Sequence, residues 1–187
     1  MSEHVSIRPF TEADFTDIIA IANKRFGNEY LNLNDLQDYM NNGNKIGVVA
    51  ISNNEIAGFA LAQICNFDEA MAIILCEHDW FQEQFANKQS IGVLKMIAVN
   101  HKYSNQGIGT SLTKHRIEIL KKSTNSIFAV SWEHKQDIQN TKILQKFGLT
   151  LKRKIENYWK EDSLDKGYSC EQCVAPPCKC CALIYVM

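Results

Sequence analysis

The stretch from Ile91 to Val99 is apolar except for Lys95, the pattern of a strand buried on both faces. Shortly after it, Gln106-Gly107-Ile108-Gly109-Thr110 opens a helix that runs to Lys122. Ile108, Leu112, Ile117 and Leu120 recur at roughly helical spacing, and Lys121 and Lys122 close its last turn. A buried strand that passes into a helix through alternate glycines leaves little choice of architecture, because the strand must lie inside a sheet and the helix must pack on it. Glycine also lets the backbone approach a bulky anion, and the first N–H groups of a helix have no partner within it. With the partial positive charge of the helix N-terminus they form a site for phosphate or pyrophosphate, so the segment predicts an anionic cofactor.

Two familiar phosphate motifs do not fit. A P-loop needs Lys followed by Ser or Thr after its last glycine, and Thr110-Ser111 brings no lysine. A dinucleotide fingerprint needs a third glycine, which is absent from Thr110 to Leu112.

The rest of the chain supplies a sheet for this unit to sit in. His4 to Phe10 reads as a short strand stopped by Pro9. Thr11 is a good N-cap with Asp14 as the acidic partner of a capping box, ahead of Phe15, Ile18, Ile19 and Ala22 at helical spacing. A shorter helix is expected from Asn34 to Met40, and Ile46–Ser52 with Glu55–Ile64 reads as a hairpin turning at Asn53-Asn54. Phe67 to Gln89 is expected to be partly helical. Ser126–Trp132 predicts a strand, Ile138–Phe147 a helix ended by Gly148, Leu149–Trp159 a strand, and Ala182–Met187 a last strand. This order predicts one mixed α/β domain spanning residues 1–187.

Composition narrows the function classes. With 45% apolar and 22% charged residues and a net charge of −1, the chain is an ordinary globular one, neither a basic nucleic-acid binder nor an acidic disordered tail. Met1-Ser2-Glu3-His4 lacks the basic start of a signal peptide, and no apolar run reaches the length of a membrane span. The expectation is a cytoplasmic protein with no nucleic-acid or membrane partner, monomeric or homodimeric.

At Val99, Gln106, Gly107, Ile108 and Gly109 the chain resembles the GNAT superfamily of N-acetyltransferases, whose signature is a strand, Val-x-Pro-x-x-Arg-Gly-x-Gly-x-Gly, and a helix. The order of elements fits across nearly the whole length, from Ile7-Arg8-Pro9 to Lys146-Phe147-Gly148-Leu149. His101, Ser104 and Asn105 depart from the signature. The resemblance implies a central, mostly antiparallel sheet flanked by helices, with a cofactor cleft after the fourth strand. It implies acetyl-CoA as cosubstrate and a small-molecule or peptide amine as acceptor. The main chain of Ile97, Ala98 and Val99 would pair with the pantetheine arm. Ser104, Asn105, Gln106, Gly107, Ile108, Gly109 and Thr110 would hold the pyrophosphate, with Asn140 and Asp137 as further contacts.

Acetyl transfer needs a neutral amine and, often, an acid for the departing thiolate. Many members of the family carry a tyrosine where this chain has Leu144. Tyr158, Tyr168 or a cysteine of the tail can stand in, and Tyr158 joins Glu133 and His134 as the catalytic candidates, the latter two for the base. Glu29, Asp68 and Glu69 offer acidic groups for a cationic amine. The competing reading, favoured by Leu144, is a catalytically weak or inactive CoA-binding or metal-sensing module.

Seven cysteines, five of them crowded between residues 170 and 181, demand a separate account. Cys170-x-x-Cys173 and Cys178-x-Cys180, bracketing Pro176-Pro177, have the makings of a compact metal knuckle. Structural zinc on Cys170, Cys173, Cys178 and Cys180, reduced structural thiols, and a redox or catalytic thiol are the open readings. Cys181 is the expected non-ligand, and Cys65 and Cys76 are expected to be buried.

Overall fold

The computed structural model describes residues 5–74, 76–133, 138–170 and 172–187. In chain order the elements are β1 (Ser6–Pro9), α1 (Phe15–Phe26), α2 (Leu33–Asn41), β2 (Lys45–Ser52), β3 (Glu55–Cys65), α3 (Phe67–Ile74) and α4 (His78–Phe85). They continue with β4 (Ile91–Val99), α5 (Ile108–Leu120), β5 (Ile127–Trp132), α6 (Ile138–Lys146), β6 (Thr150–Ile155), α7 (Lys160–Lys166) and β7 (Ala182–Val186). The strands form a seven-stranded sheet in the order β1-β2-β3-β4-β5-β7-β6. Every pairing is antiparallel except β4 with β5. This is the mixed α/β, mostly antiparallel architecture that the sequence predicts.

The alternation along the strands decides which helices cover which face. Val49, Phe59 and Leu61 pack with Ile18, Ala22 and Leu36 of α1 and α2, whereas Val48, Ala50 and Ala60 pack with Ile108 and Leu112 of α5. Further along the sheet, Val93 and Phe128 meet Ala70, Phe81 and Phe85 of α3 and α4, while Leu94 and Ala129 meet Ile117 of α5 and Leu144 of α6. The first four helices therefore cover one face, and α5 and α6 the other.

Local chemistry sets the boundaries. Asn53 and Asn54 take φ of 51° and 62°, the left-handed pair that a tight hairpin turn needs, and asparagine tolerates it better than most residues. Phe67–Gln89 resolves into α3 and α4. The strand expected over Leu149–Trp159 stops at Ile155, because Asn157 turns the chain with φ of 52° and its carbonyl accepts from the Lys160 N–H at 3.0 Å. There α7 begins, a helix that the apolar pattern did not signal.

Candidate active site

The parallel pair β4–β5 is zipped only at its start. Gly92, Val93 and Leu94 pair with Ile127, Phe128 and Ala129, and the ladder ends there although both strands run on. Lys95 is the reason on the β4 side. Leu61 pairs with Met96 and Ala62 with Leu94, which makes Lys95 the extra residue of a β-bulge that bends the strand away from β5. Between the splayed halves opens a cleft of about 590 Å³, walled by Ile97, Ala98 and Val99 on one side and Val130, Ser131 and Trp132 on the other.

At one mouth of the cleft stands the turn into α5. Gly107 caps the helix with φ of 80°, and Asn105 also lies in the left-handed region at 63°. The first intrahelical bond runs from the Ser111 N–H to the Gly107 carbonyl at 3.0 Å, so the N–H groups of Ile108, Gly109 and Thr110 have no partner within the helix. A Cβ built on Gly107 would meet nothing within 4 Å, so open space, not packing, lies over the cradle. His101–Tyr103 forms a short 3-10 turn before it. The Tyr103 hydroxyl donates to Glu55 at 2.7 Å and the Lys102 ammonium reaches the same carboxylate at 2.7 Å, pinning the turn to the start of β3. Ser104, Asn105, Gly107, Ile108, Gly109 and Thr110 all line the cleft, and Gln106 lies on the turn outside that lining. Asn140 lines it too and donates from its amide to the Ser131 hydroxyl at 2.7 Å.

Arg116 is the residue that sequence reasoning missed. It lies on α5 between Leu112 and Leu120, four residues from each, which places it on the buried stripe, and it is only 2% exposed. Its guanidinium donates to the carbonyls of Leu61 at 2.9 Å and Met96 at 3.0 Å, the groups beside the bulge. Among the described residues no carboxylate faces it, and burial pulls its pKa below the ordinary arginine value. The helical spacing signalled a buried position, but nothing in the sequence located the bulge it caps.

The other end of the cleft is aromatic: Phe26 and Tyr30 from α1 and the loop after it, Tyr158 and Trp159 from the turn after β6, and Tyr168 beyond α7. Tyr30 and Tyr168 meet edge to face with centroids 5.0 Å apart. Burial pushes the Tyr30 phenol up to about 12 and raises that of Tyr158 further, so both are protonated at neutral pH. The Tyr158 hydroxyl donates to the Ile73 carbonyl. Leu144, where the family often has tyrosine, is packed into the core and reaches the cleft wall with no polar atom.

Glu133 is not among the residues lining the cleft. Its carboxylate pairs with the Lys154 ammonium at 2.7 Å, and its N–H donates to the Cys181 carbonyl. His134 and Asp137 lie outside the described residues. Nor do Glu29, Asp68 and Glu69 reach the lining. Glu69 is held back by its own helix start, accepting from the Asn66 N–H at 2.9 Å. Among the described residues the lining carries no carboxylate, while Arg25, Lys95, Arg116 and Lys142 bring positive charge. Protein surrounding Lys95 in the cleft lowers its pKa from the usual lysine value.

The four tail cysteines lie together at the aromatic end, where Cys170 and Cys178 line the cleft. Cys181 is not in the group. Cys65 is buried, as expected, while Cys76 is half-buried.

The split parallel pair, with a helix N-terminus at one mouth and an aromatic pocket at the other, opens after the fourth strand, where the resemblance to acetyltransferases implies a cofactor cleft. The acetyltransferase (GNAT) family matches residues 13–148 of the chain. The chain belongs to that family, and acetyl transfer is its class of reaction. No curated protein sequence matches it. Among solved structures, Arabidopsis thaliana NAA60 in complex with acetyl-CoA superposes with a TM-score of 0.72 at 13% identity, covering 98% of each chain. The ribosomal-protein-S18-alanine N-acetyltransferase of Escherichia coli gives a TM-score of 0.64 at 16% identity, over 98% of this chain and 93% of that one. A GNAT-family acetyltransferase of Streptococcus pneumoniae gives 0.65 at 16% identity, over 98% of both. At these identities the likeness is one of fold.

Proposed function

We propose that the protein transfers the acetyl group of acetyl-CoA to a primary amine, and that a peptide α-amine is the preferred acceptor. The observation that carries the reading is the cleft itself. The unpartnered N–H groups of Ile108, Gly109 and Thr110 suit a pyrophosphate, and the β4 edge from Ile97 to Val99 suits an extended pantetheine arm laid along it as an added strand. Acetyl-CoA, when bound, supplies a thioester carbonyl for attack. Around it Phe26, Trp159 and Tyr168 exclude water, and the protonated Tyr158 phenol, once turned away from the Ile73 carbonyl to which it donates, is the acid nearest to hand for the departing sulfur.

The choice of amine follows from charge. With no carboxylate among the described lining residues to hold an ammonium, an acceptor that arrives largely neutral is favoured. An α-amine, with a pKa of about 8, does so far more often at neutral pH than a lysine ammonium at about 10.4. The cationic lining also opposes a polyamine. The Escherichia coli neighbour, whose name makes it an acetyltransferase of a protein alanine, offers a fold-level precedent.

Calorimetry and an assay of released thiol test the reading together. Acetyl-CoA should bind within the range of about 1 μM to 1 mM usual for enzyme substrates. Peptides with a free N-terminus should release CoA faster than N-blocked peptides carrying lysine. Absence of binding at millimolar acetyl-CoA defeats the donor assignment, and a preference for blocked lysyl peptides defeats the acceptor assignment.

A further inference from the structure

The densest group of reactive side chains outside the donor cradle is the cysteine cluster. The Sγ atoms of Cys170, Cys173, Cys178 and Cys180 all lie within 4.8 Å of one another. Cys180 is 3.6 Å from both Cys170 and Cys173, and Cys173 is 4.0 Å from Cys178. Thiolates about 2.3 Å from one zinc ion sit about 3.8 Å apart at the corners of a tetrahedron, so these spacings are those of a tetrathiolate cage.

The backbone is folded to suit it. Val174 takes φ of 67°, its N–H bonds the Cys170 carbonyl at 2.7 Å, and the Ala175 N–H bonds the Cys173 carbonyl at 2.8 Å. The Lys179 N–H points at the Cys173 sulfur at 3.3 Å, a donor that favours the thiolate a metal needs. Trp132 and Trp159 pack against the group, which leaves Cys173 half-buried and the other three buried.

We propose that Cys170, Cys173, Cys178 and Cys180 bind one zinc ion, and that this knuckle builds the acceptor end of the cleft. Four soft sulfur donors in tetrahedral array suit zinc, and with every corner filled by protein the site is structural. Its links to the cleft are direct. The Cys180 carbonyl accepts from the Tyr158 N–H at 3.1 Å, which fixes the turn that carries Tyr158 and Trp159. The Cys178 N–H donates to the Ser163 hydroxyl of α7 at 2.8 Å. Ser169, next to the first ligand, lies against Gly27, where a Cβ would stand 1.8 Å from its carbonyl oxygen. The loop that brings Tyr30 into the cleft therefore leans on the knuckle.

Metal content is measured first, on the full chain purified without chelator, and this half is independent of the acetyl-transfer reading. About one zinc per chain is expected, and cobalt in its place should give a thiolate charge-transfer band with visible bands of tetrahedral strength. Cys181→Ser should keep both signals and Cys173→Ser should lose them. Zinc below about a tenth of an equivalent, with no thiolate band on cobalt titration of the wild type, overturns the site.

The acceptor half rests on the acetyl-transfer reading. Zinc-stripped protein or Cys173→Ser should raise the amine KM about tenfold while the Kd for acetyl-CoA changes less than about twofold. An unchanged amine KM in a metal-free chain overturns the coupling, as does an equal loss of acetyl-CoA binding. Should no amine be turned over, the acetyl-transfer reading fails alone. Tryptophan emission on zinc removal then reports whether the wall of Trp132 and Trp159 depends on the metal, and an unchanged spectrum overturns the coupling.

Discussion

Asp14 accepts hydrogen bonds from the Arg8 guanidinium at 2.7 and 2.8 Å, from the Thr11 N–H at 2.7 Å and from the Thr11 hydroxyl at 3.0 Å. Arg8 most of all, against the opposing cost of burial, holds its carboxyl down at about 2. A folded pKa below the unfolded value means stability that is present above the ordinary carboxylate range and lost as pH falls toward about 2. The sum is at most about 2 kcal/mol, reduced because Arg8 is partly in water. Asp14→Asn should therefore lower the urea midpoint at neutral pH and flatten the acid limb between about pH 4 and about pH 2. Arg116 poses the opposite balance, a buried cation with no carboxylate against it among the described residues. Its desolvation cost argues that removal is harmless, but Arg116→Met would take the guanidinium donor from the buried carbonyl of Leu61 and the part-buried one of Met96. At about 1–3 kcal/mol for a buried acceptor that loses a charged donor, the loss outweighs the relief. A net destabilisation of about 1–3 kcal/mol is expected in denaturant melts, since the bond to Met96, which lines the cleft, is only part-buried.

Among the elements, those whose local pattern and tertiary fate agree were legible. The capping box at Thr11 and Asp14, the Asn53-Asn54 hairpin, β4 and α5 all read correctly because turn chemistry or apolar period marked them. What escaped was α7. Lys160–Lys166 has no apolar stripe, Leu164 is half in solvent, and the helix is held by Ser163 buried under Cys178 and by the Lys166–Asp162 pair at 2.9 Å. The start of α5 offers the sharpest test at this scale. Gly107→Val would force a branched side chain into φ of 80° and point it into the open cradle. Stability should fall by about 1–2 kcal/mol from backbone strain. The Kd for acetyl-CoA in calorimetry should rise by more than about tenfold, the cost of filling a pyrophosphate seat. Zinc content should not change.

Over the whole molecule, the two halves of the site differ in how they are written. The proposed donor half is mostly one contiguous segment, Ile97 to Thr110, so its turn and flanking strand could be anticipated from the sequence. The proposed acceptor half gathers Phe26, Tyr30, Ile73, Tyr158, Tyr168 and the tail cysteines Cys170 and Cys178, brought together only by the sheet and its end loops. That is why carboxylates at Glu29, Asp68 and Glu69 were anticipated and an aromatic pocket was found. Tyr158 carries the consequence for mechanism. Burial raises its pKa above the ordinary tyrosine value, so the acid form persists across the neutral and mildly alkaline range. The amine, by contrast, becomes competent only as pH rises through its own pKa of about 8. With Tyr158 as the acid, kcat/KM should climb to a plateau and show no falling limb below about pH 10. Tyr158→Phe should lower kcat by about a hundredfold, with the rising limb and the Kd for acetyl-CoA unchanged. A falling limb in the wild type below about pH 9 would assign the proton donor to another group, as would a Tyr158→Phe enzyme that kept its kcat.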